Sequence, residues 1–201
     1  MKPALIFDFG GVLMKTVDYA PRHAWDDRLG LPKGTVEKEV HNEGAWRDAQ
    51  TGKIELSKYW DDVAGRLKLS AHDVEKLAAD FYRGDELDQH LIEFIRQQRN
   101  ADVTVALLSN DTHELLRPKL AHLGIESLFD PLVISSEIRV MKPDAQAYLS
   151  VLERLGRPAE ETIFIDDRAE NITAAESLGI HGVHYIAGMD LPTILQDILP
   201  I

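Results

Sequence analysis

The sequence predicts an α/β fold: a doubly wound parallel sheet with a small all-helical cap inserted after its first strand. Two observations support this prediction. From about residue 85 onward, short apolar runs alternate with apolar residues at helical spacing, which is typical of a parallel sheet with helices on both faces. Between about residues 15 and 84, strand-like runs are few and helical patterns predominate. We therefore expect a core over 1–14 and 85–201 and a helical cap over 15–84.

The first strand is predicted over residues 4–8, where an apolar run ends in a single acid, Asp8. Such a run before glycines is typical of a buried parallel strand. Asp8 then lies at the carboxyl edge, where open α/β sheets bind ligands. Gly10 and Gly11 allow a sharp turn and can bring backbone amides close to a bound anion. An Asp before two glycines can equally cap a turn, so this stretch alone leaves its role open.

The helical cap is predicted from turn signals that separate amphipathic stretches. The segments LPKG at 31–34 and TGK at 51–53 each precede a helix, and Ser70 is a candidate N-cap for a later one. All three tryptophans lie in this segment. We expect Trp25 and Trp60 to fill its core.

The second half of the chain is predicted to alternate between helices and strands. The strands are expected over residues 103–108, 131–134, 162–165 and 182–185. Pro118 fits its predicted helix only in a first turn or at a kink, because proline lacks an N–H and obstructs the preceding turn. The apolar positions expected to form the helix faces are Leu87, Leu91, Phe94 and Ile95, then Leu116, Leu120 and Leu123, then Tyr148, Leu149, Leu152 and Leu155, then Ile172, Ala175 and Leu178, and finally Leu191, Ile194, Leu195 and Ile198.

Composition and charge narrow the possible partners. The 201 residues include 22 basic and 34 acidic side chains, a net charge of −12, which argues against general binding to nucleic acid or anionic membranes. A small anionic substrate remains compatible, since a local cation can outweigh the global field. The absence of cysteine excludes disulfide and thiol chemistry. No apolar run approaches a membrane span, and the immediate start of a core strand leaves no room for a signal peptide. We expect a cytoplasmic monomer or homodimer.

Polar side chains follow three predicted strands, and a lysine opens a helix nearby. Because the carboxyl ends of parallel strands lie at one edge of a sheet, these groups should converge. Adjacent carboxylates repel unless a cation lies between them, and an all-oxygen set suits Mg²⁺. Lys142 can then bind a phosphoryl oxygen or Asp8, Ser109 can donate a hydrogen bond to phosphate, and Asp8 can be a nucleophile. The groups are Asp8, Ser109, Asn110, Lys142, Asp166 and Asp167.

Each of these residues also has a structural interpretation. Ser109 can be an N-cap, Lys142 a solvated surface residue, and Asp166 or Asp167 the cap of the following helix. Asp144 is expected to cap its own helix. The joint interpretation as a site depends on their order and position around one cleft.

Four segments carry a family resemblance: FDFGGV, LLSN, KPD and FIDDRAENI. With them the sequence resembles the haloacid dehalogenase-like hydrolase superfamily, over about 1–14 and 85–201 and more loosely over the cap. The resemblance implies a Rossmann-like core, Mg²⁺ and phosphatase activity. It further implies roles for individual residues: Asp8 as nucleophile, Ser109 and Lys142 as phosphate ligands, Asp167 as a direct metal ligand, Asp166 as a supporting one, the Gly10 carbonyl as another metal ligand, and Gly11 and Asn110 at the substrate or phosphate.

One position departs from the family pattern. Most phosphatases of this family have a second Asp two residues after the nucleophile, as general acid and base, and this chain has Gly10 there. Such a group is worth about 10²–10⁴-fold in rate. The DFGGV form resembles a branch with sugar-phosphate phosphatases and relatives of epoxide hydrolase N-terminal domains. His23 and His113 are near in sequence, but neither is assigned to the role.

The sequence thus predicts a Mg²⁺-dependent phosphatase of small phosphorylated metabolites, sugar phosphates above all, acting through an aspartyl-phosphate. Trp46 could stack on a sugar and Arg47 could pair with an anionic group, although both could equally be ordinary cap residues. One alternative is a metal-free 2-haloacid dehalogenase, which the paired Asp166 and Asp167 disfavour. Another is a catalytically impaired protein that binds a phosphorylated ligand or a protein partner, for which Gly10 is the only support.

Overall fold

A computed structural model describes residues 2–198 of the chain, except the side chains of two residues near its end. Four strands of the central sheet are short runs of mostly apolar residues, as expected for strands buried on both faces, whereas the last strand, His181–His184, is mostly polar and partly exposed. The strands, numbered in chain order, are β1 (Ala4–Phe7), β2 (Met14–Thr16), β3 (Asp85–Leu87), β4 (Val105–Ser109), β5 (Leu132–Ile134), β6 (Thr162–Asp166) and β7 (His181–His184).

The central sheet has five parallel strands in the order β5-β4-β1-β6-β7. β1 is in the middle, with Phe7 paired to Leu107 of β4 and to Ile165 of β6. The strand order reverses direction at β1, and this switch point is where α/β sheets place their ligands. Asp8, the residue after β1, therefore begins the loop at the centre of that edge.

Helices cover both faces of this sheet. The described helices are α1 (Ala20–Leu29), α2 (Thr35–Val40), α3 (Ala45–Gln50), α4 (Leu56–Leu67), α5 (Ala71–Phe81), α6 (Gln89–Asn100), α7 (His113–His122), α8 (Ser135–Ile138), α9 (Ala145–Leu155), α10 (Ala169–Ser177) and α11 (Leu191–Ile198).

The alternation of side chains along β1 divides the core between the two faces. Leu5 and Phe7 pack with the apolar sides of α6, α7 and α11. Ile6 packs on the opposite face, against α9 and α10. The α/β doubly wound fold predicted from the sequence is thereby confirmed.

The helices α1–α5 form a layer that we call the helical segment, with its own apolar cluster around the buried Tyr59 and Phe81. Trp25 is buried in that cluster, and Trp60 packs at its margin. The Ser70 hydroxyl accepts a hydrogen bond from the Asp73 amide, so the predicted N-cap is confirmed. The segment connects to the sheet through the antiparallel pair β2–β3, which lies where the sequence pattern changes.

Several local features differ from the predictions, among them Leu149, which was expected on the apolar face of α9 and is exposed. Leu87 lies in β3, and helix α6 begins at Gln89 after its cap, Asp88. The β2–β3 pair was missed because strands of three residues are too short to show a period of two. Pro118 lies inside α7, beyond its first turn; Leu116 and Leu120, on either side of it, are fully buried, so packing outweighs the local cost of proline.

Among residues 2–198, no helix is both long enough and apolar enough to cross a membrane.

Candidate active site

Lys142 lies at the centre of the polar groups on the carboxyl edge of the sheet. It is almost fully buried, and its Nζ donates to Asp8 Oδ1 at 2.7 Å, to Asp166 Oδ2 at 2.7 Å and to the Leu108 carbonyl at 2.8 Å. Burial acts to lower the pKa of Lys142, but the charges of Asp8 and Asp166 outweigh it, so the pKa is raised. The ammonium stays charged, with all three protons donated to the protein.

Asn110 explains why Lys142 reaches this position. Its side chain donates to the Lys142 carbonyl at 2.9 Å and accepts from the Lys142 amide at 2.9 Å. The loop after β4 is thus tied to the turn before α9. Asn110 was expected to bind substrate or phosphate, whereas in the structure both ends of its amide hold the backbone of Lys142.

Asp166, the last residue of β6, is held from several sides. Its carboxylate accepts from the Arg168 amide at 2.8 Å and from Asn171 Nδ2 at 3.0 Å, in addition to Lys142. Asn171 lies in the first turn of α10, inside the FIDDRAENI segment, but no role was assigned to it from the sequence. Its partner Asp166 lies five residues earlier, at the end of β6, and no local pattern in the sequence pairs the two.

Asp8, Asp166 and Asp167 each offer one carboxylate oxygen, and these three atoms lie within 4.8 Å of one another. Burial raises the pKa of Asp8 to about 7, because the attraction of Lys142 offsets only part of the desolvation and Asp166 adds repulsion. Burial, with repulsion from Asp166, also raises the pKa of Asp167. Three acids and one lysine leave the cluster with an excess of negative charge when all are ionised.

Two observations agree with a cation in this cluster. The buried Oδ1 of Asn171 has no hydrogen-bond partner among the described residues, although buried oxygens are rarely left without one. Gly11 has φ +85° and lies so close to Asp167 that a Cβ there would overlap the carboxylate. The donors are all oxygens, as Mg²⁺ prefers. Asp8, Asp167 and the Gly10 carbonyl would hold the ion, with Asp166 in support.

Ser109 and Gly11 lie beside this cluster. Ser109 is buried at the end of β4 and lines the same cavity as Asp8. The Gly11 amide donates to the Met14 carbonyl at 2.8 Å. That amide is therefore occupied, which differs from the expectation that it faces a bound anion; what Gly11 provides is room for Asp167.

A cavity of about 590 Å³ lies between these strand ends and the helical segment. Trp46 lines it from the helical side, half-buried, with its ring 5.0 Å from that of Tyr59. Gln50, at the end of α3, donates to the Asn110 carbonyl at 2.7 Å and so connects the two sides. Arg47 is exposed and lines a neighbouring cavity of about 700 Å³. Trp46 is therefore placed to touch a ligand in the main cavity. Arg47 can touch only a ligand that extends from the main cavity into the neighbouring one.

The two histidines considered as proton donors lie elsewhere. His23 stacks on Tyr19 with ring centroids 6.0 Å apart. His113 has its Nδ1 3.4 Å from the Ser136 hydroxyl and lines a separate small cavity. Neither is among the residues that line the main cavity.

Curated proteins with similar sequences include two phosphatases and a cyclase. A sesquiterpene phosphatase of Aspergillus oryzae is 29% identical over 189 residues, which are 90% of this chain and 88% of that protein. A phosphorylated carbohydrates phosphatase of Thermotoga maritima is 24% identical over 186 residues, 90% of this chain and 83% of that protein. A drimenol cyclase of Aspergillus calidoustus is 28% identical over 188 residues, 91% of this chain; the chain spans about a third, 34%, of the cyclase.

Among solved structures, a HAD family enzyme of Bacteroides thetaiotaomicron in complex with magnesium and inorganic phosphate superposes with a TM-score of 0.79. The alignment covers 96% of this chain and 98% of that one at 22% identity, a level at which the likeness concerns the fold. Residues 2–179 match the haloacid dehalogenase-like hydrolase family. This match includes all four sequence segments and every residue of the carboxylate cluster. The chain is an enzyme of the haloacid dehalogenase-like hydrolase family.

Proposed function

We propose that this enzyme hydrolyses phosphate monoesters of small metabolites, sugar phosphates among them, with Mg²⁺ as cofactor. The observation that carries the proposal is the contact of Lys142 with both Asp8 and Asp166, beside Asp167. It supports a site built for a divalent cation and an anion together. The phosphatases among its relatives support the same chemistry for this chain.

In the proposed reaction, Asp8 attacks phosphorus in line and becomes phosphorylated, and water then hydrolyses that ester. Lys142 orients Asp8 by holding Oδ1, which leaves Oδ2 for attack. Since the three protons of Lys142 are already donated, we assign it this orienting role before any contact with phosphate. The Ser109 hydroxyl donates to a phosphoryl oxygen. Mg²⁺, when bound, offsets repulsion between the two anions and stabilises charge during transfer.

The cavity and its wall support a small substrate. A volume of about 590 Å³ is in the range of pockets for small molecules. Trp46 offers a ring face on which a sugar can stack. Metal-free dehalogenation is disfavoured because nothing in that chemistry requires Asp167 beside Asp166 and Asp8, where the charge of Asp166 helps to raise the pKa of both Asp8 and Asp167.

Phosphate release from sugar phosphates and from p-nitrophenyl phosphate, with Mg²⁺ or with chelator, tests the proposal. Release that requires Mg²⁺ and falls by more than about 10⁴-fold in Asp8→Asn is expected, because the nucleophile is lost while Lys142 keeps a hydrogen-bond partner. Asp61→Asn is the matched control: it makes the same replacement of a carboxylate by an amide, at an exposed acid on α4, and should keep full activity. Halide release from 2-chloropropionate in the presence of chelator would instead favour the dehalogenase.

A further inference from the structure

Five carboxylic acids line the main cavity, and four of them are engaged. Glu37 and Asp85 pair with the buried Arg22, at 2.8 Å and 3.1 Å. Asp8 and Asp167 belong to the carboxylate cluster. The fifth, Asp111, has no lysine or arginine nitrogen within ion-pair distance in the described part of the chain.

Asp111 is held firmly by its backbone while its side chain stays available. Its amide donates to the Ser135 hydroxyl at 3.0 Å, and its carbonyl accepts from the Ser136 amide at 3.3 Å. One carboxylate oxygen, Oδ1, accepts from the Thr112 amide at 2.7 Å. The other makes no hydrogen bond to the described residues and is the atom that can carry a proton.

The surroundings of Asp111 raise its pKa above the value of an ordinary aspartate. Burial raises the pKa of Asp111 to about 6, against the opposing effects of the Thr112 N–H and the Lys119 charge. Lys119 of α7 lies 4.5 Å from the ring centroid of Tyr82, and the charge of Asp111 contributes to raising the pKa of Tyr82 and of Tyr59. Lys119 in α7, Tyr82 at the end of α5 and Tyr59 in α4 are thus close enough to Asp111 for its charge and theirs to interact.

We propose that Asp111 is the general acid and base of the reaction, in the role that Gly10 cannot perform. The inference rests on the proposed phosphatase function. An in-line displacement places the leaving oxygen on the side of phosphorus away from Asp8, toward the wall that the helical segment closes. Asp111, in the loop after β4, and Tyr82, at the end of α5, both line the cavity on which Asp8 opens.

The proton balance of the two steps is as follows. As Asp8 forms its bond to phosphorus and the ester P–O bond breaks, the Asp111 carboxyl gives its proton to the leaving oxygen, which departs as an alcohol. Asp111 is then a carboxylate. It takes a proton from the water that attacks the phosphorylated Asp8, so that phosphate and the Asp8 carboxylate are released and Asp111 is protonated again.

Two esters with different leaving groups distinguish a general acid at Asp111 from a residue that only supports the structure. Asp111→Asn keeps the shape of the side chain and an oxygen for the Thr112 amide, but it cannot donate the required proton. With a sugar phosphate, whose alkoxide leaves poorly, we expect kcat/KM to fall by about 10²–10⁴-fold. With p-nitrophenyl phosphate, whose leaving group needs no proton, the change in kcat/KM should stay below about threefold, because kcat/KM reports only the step that forms phosphorylated Asp8. The kcat should fall with both esters, since they share the second step, in which Asp111 is the base. The wild-type decline above about pH 6 with the sugar phosphate should be absent in the variant.

Each outcome decides between the two proposals. An equal loss of kcat/KM with both esters, or no loss with the sugar phosphate, overturns the role of Asp111 and leaves the phosphatase function intact. A wild-type enzyme that hydrolyses neither ester with Mg²⁺ overturns the phosphatase function and this inference with it. Melting temperatures of wild type and variant, measured together, exclude unfolding as the cause of any loss, and Asp111→Glu should recover part of the sugar-phosphate activity.

Discussion

Lys142 shows how single residues in this site depend on one another. Its ammonium is buried, and an unpaired buried charge would cost several kcal/mol, so Asp8 and Asp166 are as necessary to the lysine as it is to them. With Asp167 included, three negative groups face one positive group. The raised pKa of Asp8, about 7, reflects this imbalance together with burial. A divalent cation would correct it, because metal ligands bind in their deprotonated form.

Gly11 and Gly10 provide a matched pair of substitutions at the residue scale. In Gly11→Ala the new Cβ would overlap the Asp167 carboxylate, and the residue would keep a strained φ of +85°. We expect Mg²⁺ affinity to fall by about tenfold or more and stability by about 1 kcal/mol or more. In Gly10→Ala the Cβ meets nothing within 4 Å, and the carbonyl is retained. Calorimetric titration with Mg²⁺ should show near-normal binding for Gly10→Ala; equal losses in both would contradict this account of Gly11.

Asn171 and Asp111 are the two residues of the site that the sequence did not identify as candidates. Strand-end positions could be read from the alternating pattern, so Asp8, Ser109 and Asp166 were available as candidates. Asn171 lies one turn into a helix, where its partner Asp166 is not apparent from local pattern. Asp111 follows the LLSN segment directly, but the cavity that it lines is also lined by Tyr82, some 30 residues away in sequence, and no local signal encodes that approach.

At the scale of elements, α3 is the part of the helical segment that reaches the sheet edge. It ends in Gln50, which donates to the Asn110 carbonyl, and the following turn brings Gly52 against the backbone of Ser136 in α8. α4 continues this contact, since the Leu56 amide donates to Glu114 of α7 at 3.2 Å. The side of the cavity that carries Trp46 is thus fixed to the core by backbone approach and two hydrogen bonds.

Substitution of Gly52 tests whether this contact positions the cavity wall. Gly52→Ala would overlap the Ser136 carbonyl oxygen, a backbone atom that cannot move aside easily, at φ +63°. Gly30→Ala adds the same strain, at φ +68°, but its Cβ meets nothing within 4 Å. Gly30→Ala should lose about 1 kcal/mol of stability by thermal unfolding and Gly52→Ala more, because of its added overlap, whereas only Gly52→Ala should raise KM for a sugar phosphate, by about tenfold. Equal kinetics in the two variants would mean that the turn does not position the wall.

The strands with continuous apolar sequences were predicted, and two strands without such a pattern were missed. β1, β4 and β6 are continuous apolar runs, and the sequence located them to within two residues. The pair β2–β3 was missed because its side chains are mostly polar and half-exposed, and its pairing joins residues about 70 positions apart. The position of the helical segment over the sheet edge also depends on contacts such as Gln50 with Asn110, which local periodicity does not record.

At the scale of the whole molecule, the carboxylate cluster exists only in the folded chain. Asp8 and Asp167 are brought together by the pairing of β1 with β6, and Lys142 reaches them from the turn before α9. An ion that needs this arrangement binds the native state and not the unfolded chain. Its binding free energy therefore adds to the free energy of unfolding.

Thermal unfolding should therefore report Mg²⁺ binding without any substrate. At a Mg²⁺ concentration of about 100 times Kd, mass action adds about 2.7 kcal/mol. For a chain of this length, each kcal/mol raises Tm by about 2–4 °C, so we expect an increase of about 5–10 °C that chelator reverses. Because the net charge is −12, weak Mg²⁺ binding across the surface could also raise Tm. Asp167→Asn should abolish most of the increase, while the exposed Asp61→Asn should retain it; an undiminished increase in Asp167→Asn would place the ion outside the cluster.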